Sequence, residues 1–394
     1  MNNLTHSTPQ KPFLDPNNYW VVSRYADCIK VLHEDNSSRD YMTWLDPENT
    51  PKGWKDSYRY AEQLEVDAGG KDHRTMMAFD NPKHDELRSS IIHLFTQPNA
   101  KRLERIARNL AHDLVMKNLD KHNFDVLKDL ISVVYSENLI QFIDLPEITA
   151  NRETILKAGS YLFHHHMRED FIVPFTKEEI DEYNKVLEVC FGVFAPMILS
   201  RIEKPTNDYL SKWIHEDGMS WLDAGRMLGL LCTVSKESVD ANLVNILTVL
   251  SENPEIQDEL RKRGKVSPTA LSELQRVAST NLKLSGVFKR TITIDDVVMP
   301  KGMYFVCEVS TSNFDPIAFP NPDVIDLDRN DAPGLIFGSG LHPCTGRMIA
   351  KFILRAVLEE IINNTSSFQL NGEIEMVRTG ILDYPVAVPM ILHS

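Results

Sequence analysis

The chain contains 394 residues, of which 42% are hydrophobic, and it is therefore long enough to bury a substantial core. Acidic residues outnumber basic residues by 56 to 42, and the net charge of −14 argues against general affinity for nucleic acid or anionic lipid. The five cysteines form no C-x-x-C pair and the N-terminus has no apolar leader, so the sequence predicts a protein of the reducing cytoplasm.

The beginning of the chain predicts a lead, a strand and a helix. Residues 1–17 are polar and contain three prolines, which is typical of a flexible lead, whereas residues 18–394 contain no repeat and are predicted to form a single domain. Aromatic and β-branched side chains at 18–25 predict a strand, and the aliphatic pattern of 26–34 predicts a helix. Residues 36–75 are irregular and rich in Tyr and Trp, and a loop of that length usually has a function.

Two potential anion-binding side chains lie four residues apart in the next predicted helix. His84 and Arg88 project from one helix face and can converge on one anion, although the same spacing also occurs on solvated faces. Apolar residues at helical spacing from 100 to 145 predict scaffold helices. Three consecutive histidines at 164–166 point in different directions on a helix, so we do not expect them to share one metal ion.

A long helix is predicted from residue 219 to about residue 250, and its centre is polar. Lys236, Glu237 and Ser238 interrupt an otherwise aliphatic pattern. Buried polar groups are costly unless they have partners or a function, so this part of the helix is a candidate for either an ion-pair cluster or a reaction centre.

Glu273 and Arg276 lie one turn apart in a further predicted helix. By itself this E-x-x-R spacing indicates only a common helix ion pair. Residues 287–292 and 303–309 are rich in β-branched and aromatic side chains and predict strands, and a terminal hairpin is predicted for residues 380–392.

The most informative segment is a glycine-rich loop around one cysteine. It reads F-G-S-G-L-H-P-C-T-G and precedes a predicted helix, whose unpaired N–H groups and dipole favour a thiolate at Cys344. Gly346 lets a large flat group approach beside the sulfur, Phe337 can lie against that group, and His342 can reach a negative substituent at its edge. The alternative is a buried structural cysteine at a loop-to-helix junction.

This loop, with Ala350 six residues after the cysteine, resembles the haem-binding loop of the cytochrome P450 family. Further similar segments occur in the family's order: D-N-P-x-H-x-x-x-R at 80–88, E-x-x-R at 273–276 and S-N-F-D-P at 312–316. The resemblance implies a mainly α fold with small β-sheets, in the α+β class. It also implies one triangular molecule that holds haem between a long distal helix and the helix after the cysteine loop.

The resemblance implies a soluble haem-thiolate monooxygenase that contains haem b, with Cys344 as the axial ligand of the iron. The same comparison assigns the remaining cofactor contacts. They are His84, Arg88, Arg290 and His342 for the propionates, and Phe337 and Gly346 beside the porphyrin.

On the distal side, the resemblance implies that Glu237 and Ser238 supply protons to the reaction. The aromatic residues of segment 36–75 are candidates for substrate contacts or for pinning the loop itself. Electrons are expected from a separate ferredoxin or flavodoxin, for which Arg347 and Lys351 offer a basic landing site.

Several positions depart from the family pattern. Val234 and Ser235 replace a small pair, Ser238 stands where threonine is usual, and Phe314 replaces an arginine that ties its segment to the E-x-x-R pair. Ser238 keeps a hydroxyl but lacks the methyl that restricts its rotamer, and Ser235 in place of glycine is expected to straighten the distal helix.

The resemblance favours oxidation of a small-to-medium organic molecule, such as a biosynthetic intermediate, with dioxygen. The departures leave two other hypotheses open. One is an enzyme that uses peroxide or catalyses an isomerisation or dehydration, and the other is a haem-thiolate binding or sensor protein without turnover.

Overall fold

Helices form most of the structure, as the resemblance implied, and small β-sheets accompany them. The computed structural model describes residues 7–69, 74–166, 168, 175–234, 236–280, 283–378 and 381–394. The helices are α1 Tyr25–Leu32, α2 Tyr41–Trp44, α3 Tyr58–Asp67, α4 Lys83–Ile92, α5 Gln97–Asn118, α6 Ser132–Ile143, α7 Pro146–Ala150, α8 Arg152–His166, α9 Lys177–Glu203, α10 Tyr209–His215, α11 Trp221–Thr233, α12 Lys236–Glu252, α13 Pro254–Arg263, α14 Pro268–Val277, α15 Val309–Ser312 and α16 Arg347–Asn363. Within the described ranges, none of the helices has the length and apolar character needed to cross a bilayer.

The strands are short and form one five-stranded sheet and three two-stranded ribbons. They are β1 Phe13–Leu14, β2 Trp20–Val22, β3 Ser37–Ser38, β4 Lys283–Phe288, β5 Ile292–Ile294, β6 Val297–Met299, β7 Tyr304–Glu308, β8 Ser367–Leu370, β9 Glu375–Val377, β10 Tyr384–Ala387 and β11 Met390–His393.

The five-stranded sheet joins distant parts of the chain in the order β1-β2-β7-β4-β3. Strand β2 runs parallel to β7, while β4 runs antiparallel to both β7 and β3. Strand β1 pairs with β2 and lies inside segment 1–17, so the sheet begins within the segment that the sequence analysis treats as a lead. The pairing of β3 with the end of β4 holds residue 39 against the rest of the molecule.

The terminal hairpin predicted for residues 380–392 is wrong in its pairing. Strand β10 pairs with β9, and β11 pairs with β8, so the last two strands belong to different ribbons. Gly380, where the predicted hairpin begins, lies outside the described residues.

Helices α5 and α16 pack along each other and form the centre of the main hydrophobic core. Ion pairs tie their polar edges: Arg108 lies 2.6 Å from a Glu359 oxygen, and Arg355 lies 2.7 Å from a Glu104 oxygen. Because α16 follows the cysteine loop directly, its burial against α5 fixes the direction in which that loop leaves the core.

The prediction of one long helix from residue 219 to residue 250 is wrong. Two helices form instead, because α11 ends at Thr233 and α12 begins at Lys236. Thr233 Oγ1 donates to the Gly229 carbonyl at 2.7 Å, and Ser238 Oγ donates to the Val234 carbonyl at 3.0 Å. Hydroxyl groups that bond back to the preceding turn bend helices, and two of them flank this break. Ser235 lies outside the described residues.

Candidate active site

The cysteine loop has the geometry that a thiolate ligand requires. Cys344 is exposed, and its backbone N–H donates to the Phe337 carbonyl at 2.8 Å, which closes the loop just before α16 begins. Surrounding protein raises the pKa of the Cys344 thiol, but the backbone N–H groups of Gly346 and Arg347 and the nearby positive charges oppose that rise. The start of α16 therefore directs two donors at the sulfur.

Gly346 lies beside the sulfur, and Phe337 is joined to Cys344 through its backbone carbonyl. A Cβ on Gly346 would lie 3.9 Å from Cys344 Sγ and 3.7 Å from a ring carbon of Phe95. The half-buried ring of Phe337 is covered on one side by the ammonium of Lys351, 5.5 Å from the ring centre. A side chain at position 346 would occupy space beside the sulfur.

The E-x-x-R pair braces this loop through a chain of hydrogen bonds. Arg276 and Glu273 are both about 1% exposed, and two guanidinium nitrogens of Arg276 lie 2.8 Å from the Glu273 oxygens. Arg276 Nη1 also donates to the carbonyl of Asn313, and Asn313 Oδ1 accepts from the backbone N–H of Leu335, each at 2.8 Å. Leu335 begins the turn that leads to the cysteine, so the buried ion pair positions the loop.

His84 and Arg88 lie on the face of α4 that meets the cysteine loop. His84 is 2% exposed, and its ring packs edge-on against His342 with 4.7 Å between ring centroids. Arg88 Nη1 donates to the Pro343 carbonyl at 3.2 Å. Burial, together with the positive charges of Arg39, His84 and Arg88, lowers the pKa of His342 to about 3.

Arg39 is a member of this group that the sequence analysis missed. Its charge acts on His342, and within the described residues its guanidinium makes no hydrogen bond. Nothing local in the sequence distinguishes Arg39, because it reaches the loop only through the pairing of β3 with β4. His342 Nε2 is also buried, and no described residue pairs with it.

Arg290 follows the end of β4 and is placed differently from the other predicted propionate contacts. It is exposed, and its Nε donates to Asn36 Oδ1 at 2.7 Å. Among the contacts of the described residues, none joins Arg290 to His84, Arg88 or His342. Its role at the cofactor stays a prediction.

Glu237 is buried at the start of α12, just after the break in the distal helix. Its two carboxylate oxygens have no hydrogen-bond partner of normal geometry among the described residues, although Ser160 lies close enough to favour the charged form. Lys236 Nζ is 3.7 Å from Oε1. Burial raises the pKa of Glu237, and Lys236 only partly opposes that rise, so the side chain can retain a proton above its usual range.

Lys236 is paired mainly with a different acid. Its Nζ lies 2.7 Å from Asp240 Oδ2, and Ser132 donates to the same oxygen at 2.6 Å. The simple explanation of the polar helix centre, an ion pair among neighbours, therefore fits Lys236 and Asp240 but leaves Glu237 without an equally close partner.

The histidines at 164–166 make aromatic contacts where the structure describes them. His164 stacks on Tyr384 with 3.9 Å between ring centroids, and His165 packs against Phe175 at 4.7 Å. The side chain of His166 lies outside the described part of the chain.

A cavity of about 790 Å³ lies between segment 36–75 and helices α8, α9 and α11. Tyr41, Trp54 and Tyr60 line it, so aromatic residues of that segment do face a space large enough for an organic molecule. Thr233 and Val234 also line the cavity, whereas Glu237 and Ser238, one turn further, are not part of its wall.

The large cavity shares part of its wall with a small space at the cysteine loop. A second space of about 40 Å³ is lined by Gly338 and His342, and residues Arg39, Leu284 and Ser285 line both spaces. Arg39, Leu284 and Ser285 therefore separate a molecule in the large cavity from the space at Gly338 and His342.

Comparison with known proteins identifies the class of protein to which this fold and site belong. The family model of cytochrome P450 matches residues 235–376, a range that includes the E-x-x-R pair and the cysteine loop. Mycinamicin IV hydroxylase/epoxidase of Micromonospora griseorubida is 25% identical over 93% of this chain and 89% of its own. Nocardicin C N-oxygenase of Nocardia uniformis subsp. tsuyamanensis is 26% identical over 94% of this chain and 89% of its own.

Solved structures agree on the fold. CYP164A2 of Mycobacterium smegmatis superposes with a TM-score of 0.81 at 20% identity, covering 97% of this chain and 93% of its own. P450BioI was solved with an acyl carrier protein carrying hexadec-9Z-enoic acid. It superposes with a TM-score of 0.79 at 22% identity, covering 95% of this chain and 92% of its own. The family match, the curated relatives and the shared fold together support a bacterial-type cytochrome P450 with monooxygenase activity.

The cytochrome P450 family implies a haem cofactor, an organic substrate and a redox partner. The residues around Cys344 fit a haem. The sulfur is accessible, two backbone donors face it, and the adjacent Arg39, Arg88 and His342 present buried or half-buried donors that two propionates would satisfy.

Proposed function

We propose that this protein is a haem-thiolate monooxygenase that inserts one atom of dioxygen into a small-to-medium organic molecule while the other leaves as water. The observation that carries the proposal is the accessible Cys344 sulfur at the start of α16, faced by two backbone N–H groups and bordered by cationic side chains. A cysteine that only fills space in a protein core needs neither backbone N–H donors at its sulfur nor cationic neighbours.

In this proposal the cofactor is haem b, and the Cys344 thiolate would hold its iron. When bound, it supplies the activation of dioxygen. The Gly346 and Arg347 N–H groups would stabilise the negative charge of the sulfur, and Phe337 would lie against the porphyrin, as the sequence predicts. The propionates would be neutralised by donors on α4, the cysteine loop and the strands, namely His84, Arg88, His342, Arg39 and the predicted Arg290.

We assign the proton supply to Glu237 and Ser238. Because burial raises the pKa of Glu237, its carboxyl group holds a proton more readily than an exposed glutamate and can release it during the reaction. The Ser238 hydroxyl donates to the Val234 carbonyl at 3.0 Å, next to the cavity wall. A hydroxyl there can exchange that donor contact for one to a bound water and so carry a proton between solvent and substrate.

Replacing Cys344 by alanine tests the proposal. We expect C344A to lose haem during purification and to lack the red-shifted Soret band of the reduced, carbon-monoxide-bound protein, because no anionic sulfur remains at the iron position. Cys190→Ala is the matched control: Cys190 is buried and its thiol has a pKa raised to about 11, so the spectrum should be unchanged. Normal pigment content and spectrum in C344A would refute the proposal.

A ferredoxin or flavodoxin is the proposed electron donor. Arg347 is exposed in the first turn of α16 beside the cysteine loop, and its charge can attract an acidic carrier. Lys351 is less available, because its Nζ donates to Ser272 Oγ at 3.2 Å and lies over Phe337.

Arg347→Glu is expected to slow reduction by ferredoxin about tenfold at low ionic strength, with the difference shrinking in concentrated salt. Stopped-flow reduction under carbon monoxide measures this rate and checks at the same time that the thiolate spectrum is intact. Lys185→Glu, a charge reversal at an exposed site on α9, is the control. Reduction of R347E at the unaltered rate in low salt would exclude a docking role for Arg347.

We also propose that the substrate is a biosynthetic intermediate handled in the cytoplasm. Relatives include a polyketide biosynthesis cytochrome P450, PksS, and a biotin biosynthesis cytochrome P450, both of Bacillus subtilis. The cavity of about 790 Å³ suits an organic molecule of intermediate size, and the five unpaired cysteines suit a reducing compartment.

A further inference from the structure

The large cavity has a positive lining inside a negatively charged protein. Within the described part of the chain, seven lysine or arginine residues line it, against two acidic residues, Glu62 and Asp67, although acidic residues outnumber basic residues in the whole sequence. Both acids lie on α3, and Asp67 is exposed to solvent. Some of the cations are neutralised by acids behind the wall; for example, Arg74 lies 2.7 Å from an Asp40 oxygen. Among the lining residues that the structure describes, positively charged side chains therefore outnumber acidic ones.

Arg226 on α11 is the most enclosed of the cations whose pairing can be followed. Its side chain is 12% exposed, and Nη1 lies 3.1 Å from Asp223 Oδ1. The other oxygen of Asp223 already accepts from Lys83 at 3.1 Å and from Ser220 at 3.0 Å. Within the described residues, the buried Nε of Arg226 has no acceptor.

One carboxylate therefore serves two cations in this wall. Lys83 also reaches Glu86, but the Glu86 side chain is 63% exposed and its charge is screened by water. A guanidinium that is mostly removed from water, and whose one acidic partner among the described residues also binds a lysine, is incompletely stabilised, so an anionic ligand would stabilise it further.

Two glycines leave room beside Arg226. Gly225 and Gly229 both line the cavity from within α11, where glycine costs about 1 kcal/mol relative to alanine. Their neighbours do not require glycine: a Cβ on Gly225 would lie 3.6 Å from an Ile198 carbon, and one on Gly229 would lie 4.0 Å from a Phe194 carbon. The missing side chains instead widen the cavity next to the guanidinium.

We propose that the substrate carries an anionic group on an apolar body, and that Arg226 binds this group inside the cavity. A carboxylate matches the planar guanidinium fork, while Leu230 and Phe194 contribute apolar wall for the rest of the molecule. This inference rests on the proposed function, since it names the substrate class of the same cavity.

The test compares dodecanoic acid with dodecan-1-ol, which has the same chain length without the charge. Isothermal titration calorimetry of the purified haem protein at low salt should show tighter binding of the acid. Arg226→Met should weaken binding of the acid about tenfold to hundredfold, as expected for loss of a charge-assisted hydrogen bond, and change binding of the alcohol less than threefold. Arg226→Lys should restore part of the loss, which separates the charge from a folding defect.

Lys55→Met provides the matched control, because Lys55 is an exposed cation on the same lining. It removes the same unit of charge and should change acid binding less than twofold. Equal affinity of the wild-type protein for acid and alcohol would overturn the proposal, and an acid preference untouched in R226M would overturn the assignment to Arg226. Neither outcome depends on the carbon-monoxide spectrum, so failure of the thiolate proposal would be seen separately.

Discussion

Arg276→Ala is expected to lower the free energy of unfolding by about 3–5 kcal/mol, because it removes one partner of a fully buried ion pair. Glu273 would lose two hydrogen bonds of 2.8 Å, and the carbonyl groups of Asn313 and Pro322 would lose their donor. The guanidinium also lies 5.1 Å from the ring centre of Phe319, a cation–π contact that alanine cannot make. Since Asn313 holds the backbone of Leu335, haem retention should fall together with stability.

Urea unfolding of R276A and of the wild-type protein measures this effect, with haem content determined alongside. Arg263→Ala is the matched control, because Arg263 makes two 2.8 Å hydrogen bonds to Asp328 but that side chain is 74% exposed. Loss of this surface pair should change stability little. If R276A unfolded at the same urea concentration as R263A, the buried pair would not brace the loop as described.

The ion pair of Glu273 and Arg276 also makes the free energy of unfolding depend on pH. Burial on its own would raise the pKa of Glu273, but hydrogen bonds from Arg276, the Asp326 N–H and Arg329 lower it below the ordinary 4.5. A lowered pKa in the folded state stabilises the protein above pH 4.5, and this contribution is lost as the pH falls through the lowered value. The difference between wild type and R276A should therefore be largest near neutral pH and shrink in acid.

The parts of the site that lie in continuous motifs could be predicted from the sequence. The cysteine loop needs only ten residues and the start of one helix, so its glycines and Cys344 specify the local geometry by themselves. His84 and Arg88 were predicted to share a helix face, and both contact the cysteine loop. Local spacing determines side-chain direction, and the fold then brings the two motifs together.

Arg39 could not be predicted because its position depends on a pairing between residues about 250 apart in the chain. The replacement of arginine by Phe314 was expected to remove a tie to the E-x-x-R pair. In the structure the Phe314 ring lies 5.1 Å from the Arg276 guanidinium, and Arg329 donates to Glu273 at 3.0 Å. The charge lost at position 314 is compensated by residues that only the tertiary fold identifies.

The interrupted distal helix was missed for a related reason. Apolar residues continue at helical spacing across residues 219–250. That spacing does not show where side-chain hydroxyl groups hydrogen-bond to the backbone of the preceding turn and bend the helix. Helix α8 also crosses at this point, since a Cβ on Gly159 would overlap the Cys232 carbonyl oxygen. The site of the break thus follows from packing between helices.

Gly340→Ala is expected to destabilise the protein by about 3 kcal/mol or more and to prevent stable haem binding. Gly340 has φ +78°, where an L side chain is strained, and a Cβ there would overlap the Leu32 carbonyl oxygen at the end of α1. Because the obstacle is backbone, no rotamer change or truncation at Leu32 can relieve it. Either α1 or the loop that carries Cys344 must move.

Gly338→Ala separates this clash from backbone strain alone. Gly338 has φ +71°, in the same left-handed region, but a Cβ there would lie 3.5 Å from the His342 carbonyl oxygen, an ordinary contact. G338A should therefore lose about 1–3 kcal/mol of stability from strain and keep more haem than G340A. Urea unfolding and the pigment absorbance per mole of protein, measured for both variants, distinguish the effect of the clash from that of backbone strain. If G340A were as stable as G338A and bound as much haem, the requirement for glycine at position 340 would have a cause other than close packing of the cysteine loop on α1.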